Sequence, residues 1–548
     1  MTAAPFAGRT GTALVLSVLC LAVFVQAFSS LRGKSMTYDE IAYIPAGYSY
    51  VKTGDYRLNK EQPPLMKLLA GAALLPLAPE LPTDHSSWAD AAAGVGNTQW
   101  LFGEEFLVHA NANGEELVHA ARLPVVFVMM LLVVGAYLFA RDLYGRPAGF
   151  LAATLCTFSP NLLAHGRLAT TDLGLACFVL LTVYAYHRFA RAPSPINLIL
   201  AGVVLGLALL TKFSAVLLIP LLGLWAVALP LLEGGMVMPQ GRWAAVAQRP
   251  RWGPVAWSVL AAGGMVVIAL LVVSFGYLTP GRPFVYFRDL GMVSVNVQPT
   301  YQAYFNGVFR EGGVPYYFLA TFLLKTPLAF LLLLGLRFGT GFREASESLA
   351  AKVLIFAPVA LWFGVISWRA FQIGIRYVLP AYPLLFVFAA GIVAAPQFEK
   401  RWLRITCAAC VGWFAMSSLS AHPHYLPYFN EIAGGADNGI EWLDDSNVDW
   451  GQDLILLRTF LEETELEGVR VTPMAEYDPS FYGLEAEIVP AQVSLSLLSR
   501  PNPPPGVYAV SAHLLNRVRM DPTATVDPLT DLTPLVVLGH TIYVFAFP

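Results

Sequence analysis

Residues 63–79 read PPLMKLLAGAALLPLAP, and the topology of the whole chain turns on them. The apolar run from Leu65 to Leu77 has about 13 residues. As a helix it reaches about 20 Å, well short of the hydrocarbon core of a bilayer, about 30 Å. Prolines at 63, 64, 76 and 79 flank it. These features describe a re-entrant or interfacial helix rather than a span. Reading it as a span would invert every later loop.

The rest of the chain sets the context. It has 548 residues, of which 56% are hydrophobic and 13% charged, with a net charge of −3. Soluble proteins carry about 25% charged residues. Repeated apolar runs of about 15–25 residues therefore predict a polytopic α-helical membrane protein. Nothing polybasic points to nucleic acid. The five cysteines, Cys20, Cys156, Cys177, Cys407 and Cys410, all lie in apolar runs, which disfavours a disulfide framework. Arg9 followed by the run from Ala13 to Phe28 mimics a signal peptide. That run exceeds the usual apolar core of about 7–15 residues and is expected to stay as the first helix.

About eleven spans are predicted: 11–28, 118–140, 147–163, 173–188, 196–211, 213–232, 255–278, 316–336, 353–367, 377–395 and 402–420. With a cytoplasmic N-terminus, one side holds Arg141–Arg146, Arg188–Arg191, the loop with Arg242, Arg249 and Arg251, the loop with Arg337, Arg343 and Lys352, and the cluster Lys400, Arg401, Arg404. Every loop on that side is basic, as the positive-inside rule requires. The other side holds 29–117, a short loop near 164–172, 279–315, 368–376 and everything after 420. The expected organisation is a membrane domain over 1–420, with 29–117 as a first external loop carrying interfacial helices, and a small extracytoplasmic α/β domain over 421–548. There, Leu454–Glu465 reads as an amphipathic helix. Val469–Pro473, Val507–Ser511, Leu535–Leu538 and Thr541–Phe545 read as strands.

The first external loop breaks the charge rule. Arg32, Lys34, Lys52, Arg57, Lys60 and Lys67 face outward in TYDEIAYIPAGYSYVKTGDYRLNKEQPPLMK, residues 37–67. The plain reading is a solvated loop; the functional one is an anion site at the membrane surface, where lipid phosphate is the obvious anion. Asp39 and Glu40 stand beside a helix end, where a carboxylate is costly unless paired. Each is a candidate general base, metal ligand or ion-pair partner. In HGRLATTD, residues 165–172, Asp172 starts a helix, and Thr170, Thr171 and Asp172 all suit an N-cap. Arg167 and His165 share that loop. In IGIRYVLPAYP, residues 373–383, Arg376 is placed either to snorkel to headgroups or to fork onto a phosphate. The loop 279–315 contains QAYFNG, with Tyr304 and Asn306, and Lys325 follows in FLLKTP. Asp444, Asp445, Asp449 and Asp453 read as a solvated loop and helix start. Charges gather on one face and the midplanes are nearly charge-free, unlike a transporter with midplane sites on broken helices.

The ordered set YDE, EQPPLMKLL, RLP at 122–124, SPNLLAHGRLATTD at 159–172, LLKTP at 323–327, RYVLPAYP at 376–383 and YFNEIAGGADNGIEWLDDSNVDWGQDL at 428–454 resembles the GT-C membrane glycosyltransferases. It is most similar to the protein O-mannosyltransferase and aminoarabinose-transferase group, as a bacterial inner-membrane member. The resemblance covers essentially the whole chain. It implies inverting transfer of a sugar from a polyprenyl-phosphate donor to an extracytoplasmic protein, lipid or glycan. Asp39 matches the proposed base and Asp172 a second acid shaping the site. Glu40 either orients Asp39 or pairs with a cation. Arg376 and Lys67 are implied to hold the donor phosphate, and Lys325 and Arg167 are further candidates. Tyr304, Asn306 and Glu61 are candidates on the acceptor side. Glu61-Gln62 stands where relatives carry His or a metal-binding Glu, so no obligatory cofactor is expected, a divalent metal being the alternative. The competing classes are a flippase for lipid-linked sugars and a non-catalytic membrane scaffold.

Overall fold

A computed structural model describes residues 9–93, 96–232, 235–238, 253–277, 283–295, 302–341, 349–369, 371–475, 477–500, 502–520 and 524–548. Arg242, Arg249, Arg251 and Arg343, used above to orient the chain, lie outside these residues. Among those described, seven helices are long and apolar enough to cross a membrane: Arg9–Leu31, Gly114–Tyr144, Asp172–Arg191, Phe213–Leu231, Gly253–Gly276, Leu349–Trp368 and Arg401–Ser420. Their outer faces are greasy. Leu14, Val18, Leu21 and Val25 on the first helix are more than half exposed, as are Val267, Leu271 and Phe275 on another. Such stripes are tolerated against lipid rather than water. The protein is a multi-pass membrane protein.

The other four predicted spans are shorter or broken. The run 147–163 divides into Arg146–Thr157 and Pro160–His165, and Pro195–Leu209 has 15 residues. The run 377–395 starts its helix only at Ala381, after Pro380. The run 316–336 is bent, as a broken span or a re-entrant loop. Tyr317–Lys325 and Leu328–Thr340 meet at a bend of 109°, because Pro327 pushes Thr326 into extended backbone, φ −95° and ψ 130°. The deciding run, Leu65–Ala73 (α3), is a helix of 9 residues capped by a short 3₁₀ turn, too short to span.

α3 packs against the helix Glu40–Thr53 (α2; the first helix, Arg9–Leu31, is α1) through a glycine pair. A Cβ on Gly71 would overlap the Gly47 backbone, and one on Gly47 the Lys67 carbonyl. That close crossing, plus the Leu65 N–H donating to the Leu210 carbonyl at 2.9 Å, fixes the first loop against the turn after Pro195–Leu209.

The long helix Gly114–Tyr144 has 31 residues, about 46 Å, so its ends report the two faces of the protein. At its far end Asp142 meets Arg141 at 2.7 Å and Arg188 at 3.7 Å, and Arg337 lies over the Tyr144 ring. At its near end Arg122 meets the first loop. Arg141, Arg188 and Arg337 thus gather at one end of this helix and the first loop at the other.

The C-terminal unit contains a five-stranded sheet in the order β4-β3-β5-β7-β6. Its strands are Arg470–Thr472 (β3), Glu487–Ile488 (β4), Gly506–Ser511 (β5), Val536–Leu538 (β6) and Ile542–Phe547 (β7), where Gln302–Phe305 (β1) and Val308–Glu311 (β2) form a separate hairpin. β3 runs parallel to both β4 and β5, whereas β7 is antiparallel to β5 and β6. The helix Leu454–Thr464 precedes β3. The unit is strapped to the membrane part by the acidic stretch before that helix. This corrects the solvated reading: Asp444, Asp449 and Asp453 are only 6%, 2% and 1% exposed. Each has partners: Asp444 has His513 and Arg517, Asp449 has Ser511, and Asp453 has Lys34 and Thr541.

Candidate active site

Asp39 stands at the N-terminus of α2 without capping it through its side chain. Its Oδ2 instead accepts from Arg376 Nη1 at 2.7 Å. Arg376 lies in a 3₁₀ turn, Ile375–Val378. Its guanidinium is sandwiched, with its carbon 4.3 Å from the Trp450 ring centroid and 5.5 Å from that of Tyr377. Buried Arg376 Nε has no hydrogen-bond partner among the described residues. Asp172, at the head of its helix, receives Lys212 Nζ at 2.6 Å on one oxygen and lies 3.9 Å from Arg376 Nη1 on the other. Lys212 in turn sits 4.7 Å over the Tyr377 ring. Two acids and two cations thus form one cluster, Asp39–Arg376–Asp172–Lys212. It is assembled from the first loop, the 164–172 loop, the turn at Thr211–Lys212 and the segment before Ala381. Asp39 is the most open member at 17% exposed, against 1% for Asp172.

The remaining predicted residues sit around this cluster or away from it. Glu40 is fully buried and receives Arg122 through two bonds of 2.8 and 2.7 Å, while the Thr37 and Ala169 N–H groups also donate to it. Burial alone would raise this carboxyl. The Arg122 guanidinium and the backbone donors hold it below the ordinary carboxylate range. Glu40 therefore pins the first loop to the 164–172 loop behind Asp39. Lys67 spends its ammonium hydrogens on the loop, donating to Asn59 O and Oδ1 at 2.7 Å each and to Gln62 O at 2.8 Å. Glu61, on the exposed rim, interacts electrostatically with both Asp39 and Lys67.

Lys325 donates to the carbonyls of Leu426 and Asn447 at 2.9 and 2.6 Å and lies over Phe429. Arg167 donates to the Ser30 and Pro423 carbonyls. Tyr304 and Asn306 lie on the β1–β2 hairpin, whose Asn306-Gly307 turn has φ of 52° and 77°. They engage the C-terminal unit: Arg519 donates to the Tyr304 hydroxyl at 2.6 Å, and Asn306 N–H to the Trp442 carbonyl at 2.9 Å.

Sequence reasoning missed Lys212, Trp450 and Asn447. Asn447 Oδ1 accepts from Ile375 N–H at 2.9 Å and its amide donates to Tyr317. Ser446 donates to the Ile373 carbonyl and Tyr38 N–H to the Trp450 carbonyl. The acidic strap thereby holds the Arg376 turn against the first loop. No three His, Cys, Asp or Glu side chains converge as a metal set among the described residues.

The cluster has the elements that group transfer from a phosphate needs: a partly open carboxylate and cations in a low-dielectric surround. Residues 114–248 match the family described as dolichyl-phosphate-mannose-protein mannosyltransferase, in agreement with the resemblance carried by the sequence motifs. No curated protein matches the chain. Among solved structures, ArnT from Cupriavidus metallidurans in the apo state is similar at 14% identity, covering 98% of each chain with a TM-score of 0.47. The Archaeoglobus fulgidus oligosaccharyltransferase in the apo form is similar at 12% identity, covering 96% of this chain and 61% of that one, with a TM-score of 0.41. The S. cerevisiae protein O-mannosyltransferase Pmt1-Pmt2 complex bound to the sugar donor is similar at 17% identity, covering 55% and 36%, with a TM-score of 0.35.

Proposed function

We propose that this protein is an inverting glycosyltransferase that moves a sugar from a polyprenyl-phosphate donor to an acceptor hydroxyl at the outer membrane surface. The observation that carries this reading is the Asp39–Arg376–Asp172–Lys212 cluster, in which a partly open carboxylate touches a buried guanidinium. The family match over residues 114–248 supports it.

An acceptor hydroxyl is a poor nucleophile. Asp39 takes its proton as the oxygen bonds to the anomeric carbon. The bond from that carbon to the phosphate oxygen breaks on the opposite face, which inverts configuration, and polyprenyl phosphate leaves with the electron pair. Arg376 and Lys212 neutralise the charge that grows on the phosphate. The unpartnered Nε of Arg376 is a free donor for that anion. Asp172 lies between the two cations, 2.6 Å from Lys212 and 3.9 Å from Arg376, and keeps them together. Glu40 and Arg122 position Asp39 from behind, and Lys67 shapes the Asn59–Gln62 turn beside it. In this reading the N-terminus is cytoplasmic in a plasma membrane, the Arg141, Arg188 and Arg337 end faces the cytoplasm, and the site and C-terminal unit face outward.

The test is transfer of label from a polyprenyl-phosphate sugar, incubated in detergent with purified protein. Wild-type protein is expected to release polyprenyl phosphate and to pass label to acceptor or water, while Asp39→Asn folds and does neither. A wild-type protein that moves lipid-linked sugar across vesicles without cleaving it refutes the reading in favour of a flippase.

A further inference from the structure

Strands β4, β3 and β5 are parallel, so their carboxyl ends share one edge of the sheet. β3 comes first in sequence but lies between the other two. The chain leaves β3 toward one side and returns on the other. At such a switch point the connections diverge and a crevice opens outside the carboxyl ends.

A cleft of about 540 Å³ lies at that edge, inside the range of about 300–1,000 Å³ typical of small-ligand pockets. It is lined by Thr472 at the end of β3, Met474 beyond it, Ile488 on β4 and His513 after β5. Tyr38 of the first loop and Tyr477 also line it. Tyr38 directly precedes Asp39 in the chain, so the cleft reaches the residue next to the proposed base.

The lining selects the chemistry of an occupant. Two tyrosines, Met474, Ile488 and three prolines make it largely apolar. Among the described residues, Asp478 is its only carboxylate and no lysine or arginine lines it. His513 offers the cleft no free nitrogen, since Nδ1 pairs with Asp444 and Nε2 faces Arg517, at 3.0 Å each. A phosphorylated or carboxylated headgroup would be desolvated there without a partner. A neutral sugar presents an apolar C–H face to the tyrosine rings and a hydroxyl rim to Asp478 and the loop carbonyls.

We propose that this cleft is an acceptor subsite for a neutral, hydroxyl-rich glycan, which it feeds past Tyr38 to Asp39. The proposal rests on the assignment of Asp39 as base. The reaction is the one above, the glycan hydroxyl losing its proton to Asp39 as it bonds to the donor carbon.

The test measures binding of maltotriose, α-mannotriose and N-acetylchitotriose to the full-length protein in detergent by calorimetry. Mannose 6-phosphate and a threonine-containing peptide serve as competitors. At least one neutral trisaccharide is expected to bind saturably. Ala475→Trp, which fills the cleft, weakens it at least tenfold, and exposed Asp478→Asn at least threefold, with polyprenyl phosphate binding unchanged. The Asn variant keeps the test open where the Trp variant fails to fold. Absence of trisaccharide binding, indifference to both variants, or displacement by the sugar phosphate or the peptide overturns the proposal. Donor cleavage by the wild type is scored separately. Cleavage without trisaccharide binding refutes the subsite alone, and trisaccharide binding without cleavage refutes the transferase reading.

Discussion

Asp39 and Arg376, 337 residues apart in the chain, hold each other at 2.7 Å. The guanidinium occupies Oδ2 of Asp39 and leaves only Oδ1 to meet an alcohol. An incoming phosphate competes with Asp39 for the same guanidinium, so donor binding uncovers the base. Two results follow. Asp39→Asn lowers transfer by roughly 10²–10⁴ yet binds polyprenyl phosphate more tightly than wild type, because Arg376 no longer has an internal anion. Arg376→Ala loses donor binding while leaving Asp39 exposed. Titration with polyprenyl phosphate alongside turnover separates these effects. Weaker phosphate binding by Asp39→Asn contradicts the competition.

Lys212 reaches Asp172 at 2.6 Å and has no other carboxylate partner in the cluster. A donor phosphate therefore competes with Asp172 alone for this ammonium. Lys212→Met is expected to raise the donor KM roughly tenfold, in line with the loss of one charge-assisted contact, and Lys212→Arg to restore much of it. Initial rates against donor concentration decide this. A change in kcat alone would mean that Lys212 only props up Asp172.

Asp39, Asp172 and Arg376 were legible because each is a charge at the mouth of an apolar helix, where burial without a partner is costly. Lys212 carries the same signal but sits in a turn so tight between two apolar runs that no loop drew attention to it. The short length of Leu65–Leu77 and its flanking prolines were enough to reject it as a span. The break at Thr326-Pro327 was visible as a proline, but not that the two halves would turn through 109°. The acidic stretch misled because its composition is that of a solvated loop. Its burial depends on His513, Arg517, Ser511, Lys34 and Thr541, all distant in sequence, and long-range pairing leaves no local mark. Trp450 and Asn447 were hidden with it. Lys67, Lys325 and Arg167 donate to backbone carbonyls, partners that a sequence does not show.

Glu40 and Arg122 are both fully buried and bonded through two contacts. Removing one partner strands a charge away from water, which costs about 3–5 kcal/mol. Glu40→Gln or Arg122→Met is thus expected to lower the melting temperature sharply and to reduce activity through loss of folded protein. The double variant Glu40→Leu with Arg122→Met recovers stability without recovering full activity, because the first loop is no longer pinned behind Asp39. Melting curves with and without polyprenyl phosphate test this. A double variant no more stable than the singles indicates that the hydrogen bonds to Thr37 and Ala169, rather than the stranded charge, dominate.

The strap that carries Trp450 makes the fold sensitive to pH from outside the bilayer. Burial alone would lower the His513 imidazolium, but Asp444 at 3.0 Å raises it above the ordinary histidine value. Burial likewise would raise Asp444, yet His513 and Arg517 hold it well below the carboxylate range. Burial pushes Asp449 up to about 6, against the Ser511 hydroxyl and the His513 charge. The signs follow from which state binds more protons. His513 contributes stability fully present below its unfolded value, about 6.5, and lost as pH rises through its raised folded value. Asp449 binds its proton more tightly when folded, so its term also falls as pH rises, between about 4 and about 6. Asp444 acts oppositely, losing stability only as pH drops below the ordinary carboxylate range. The strap is therefore tightest in mildly acid solution and loosens through neutrality. His513→Gln is expected to flatten the alkaline limb, and Asp449→Asn the limb between about 4 and 6. Because the strap holds Trp450 against Arg376, donor affinity falls along the same alkaline limb. Melting temperature and polyprenyl phosphate affinity measured across this range test the coupling, and an alkaline limb unchanged in His513→Gln would refute it.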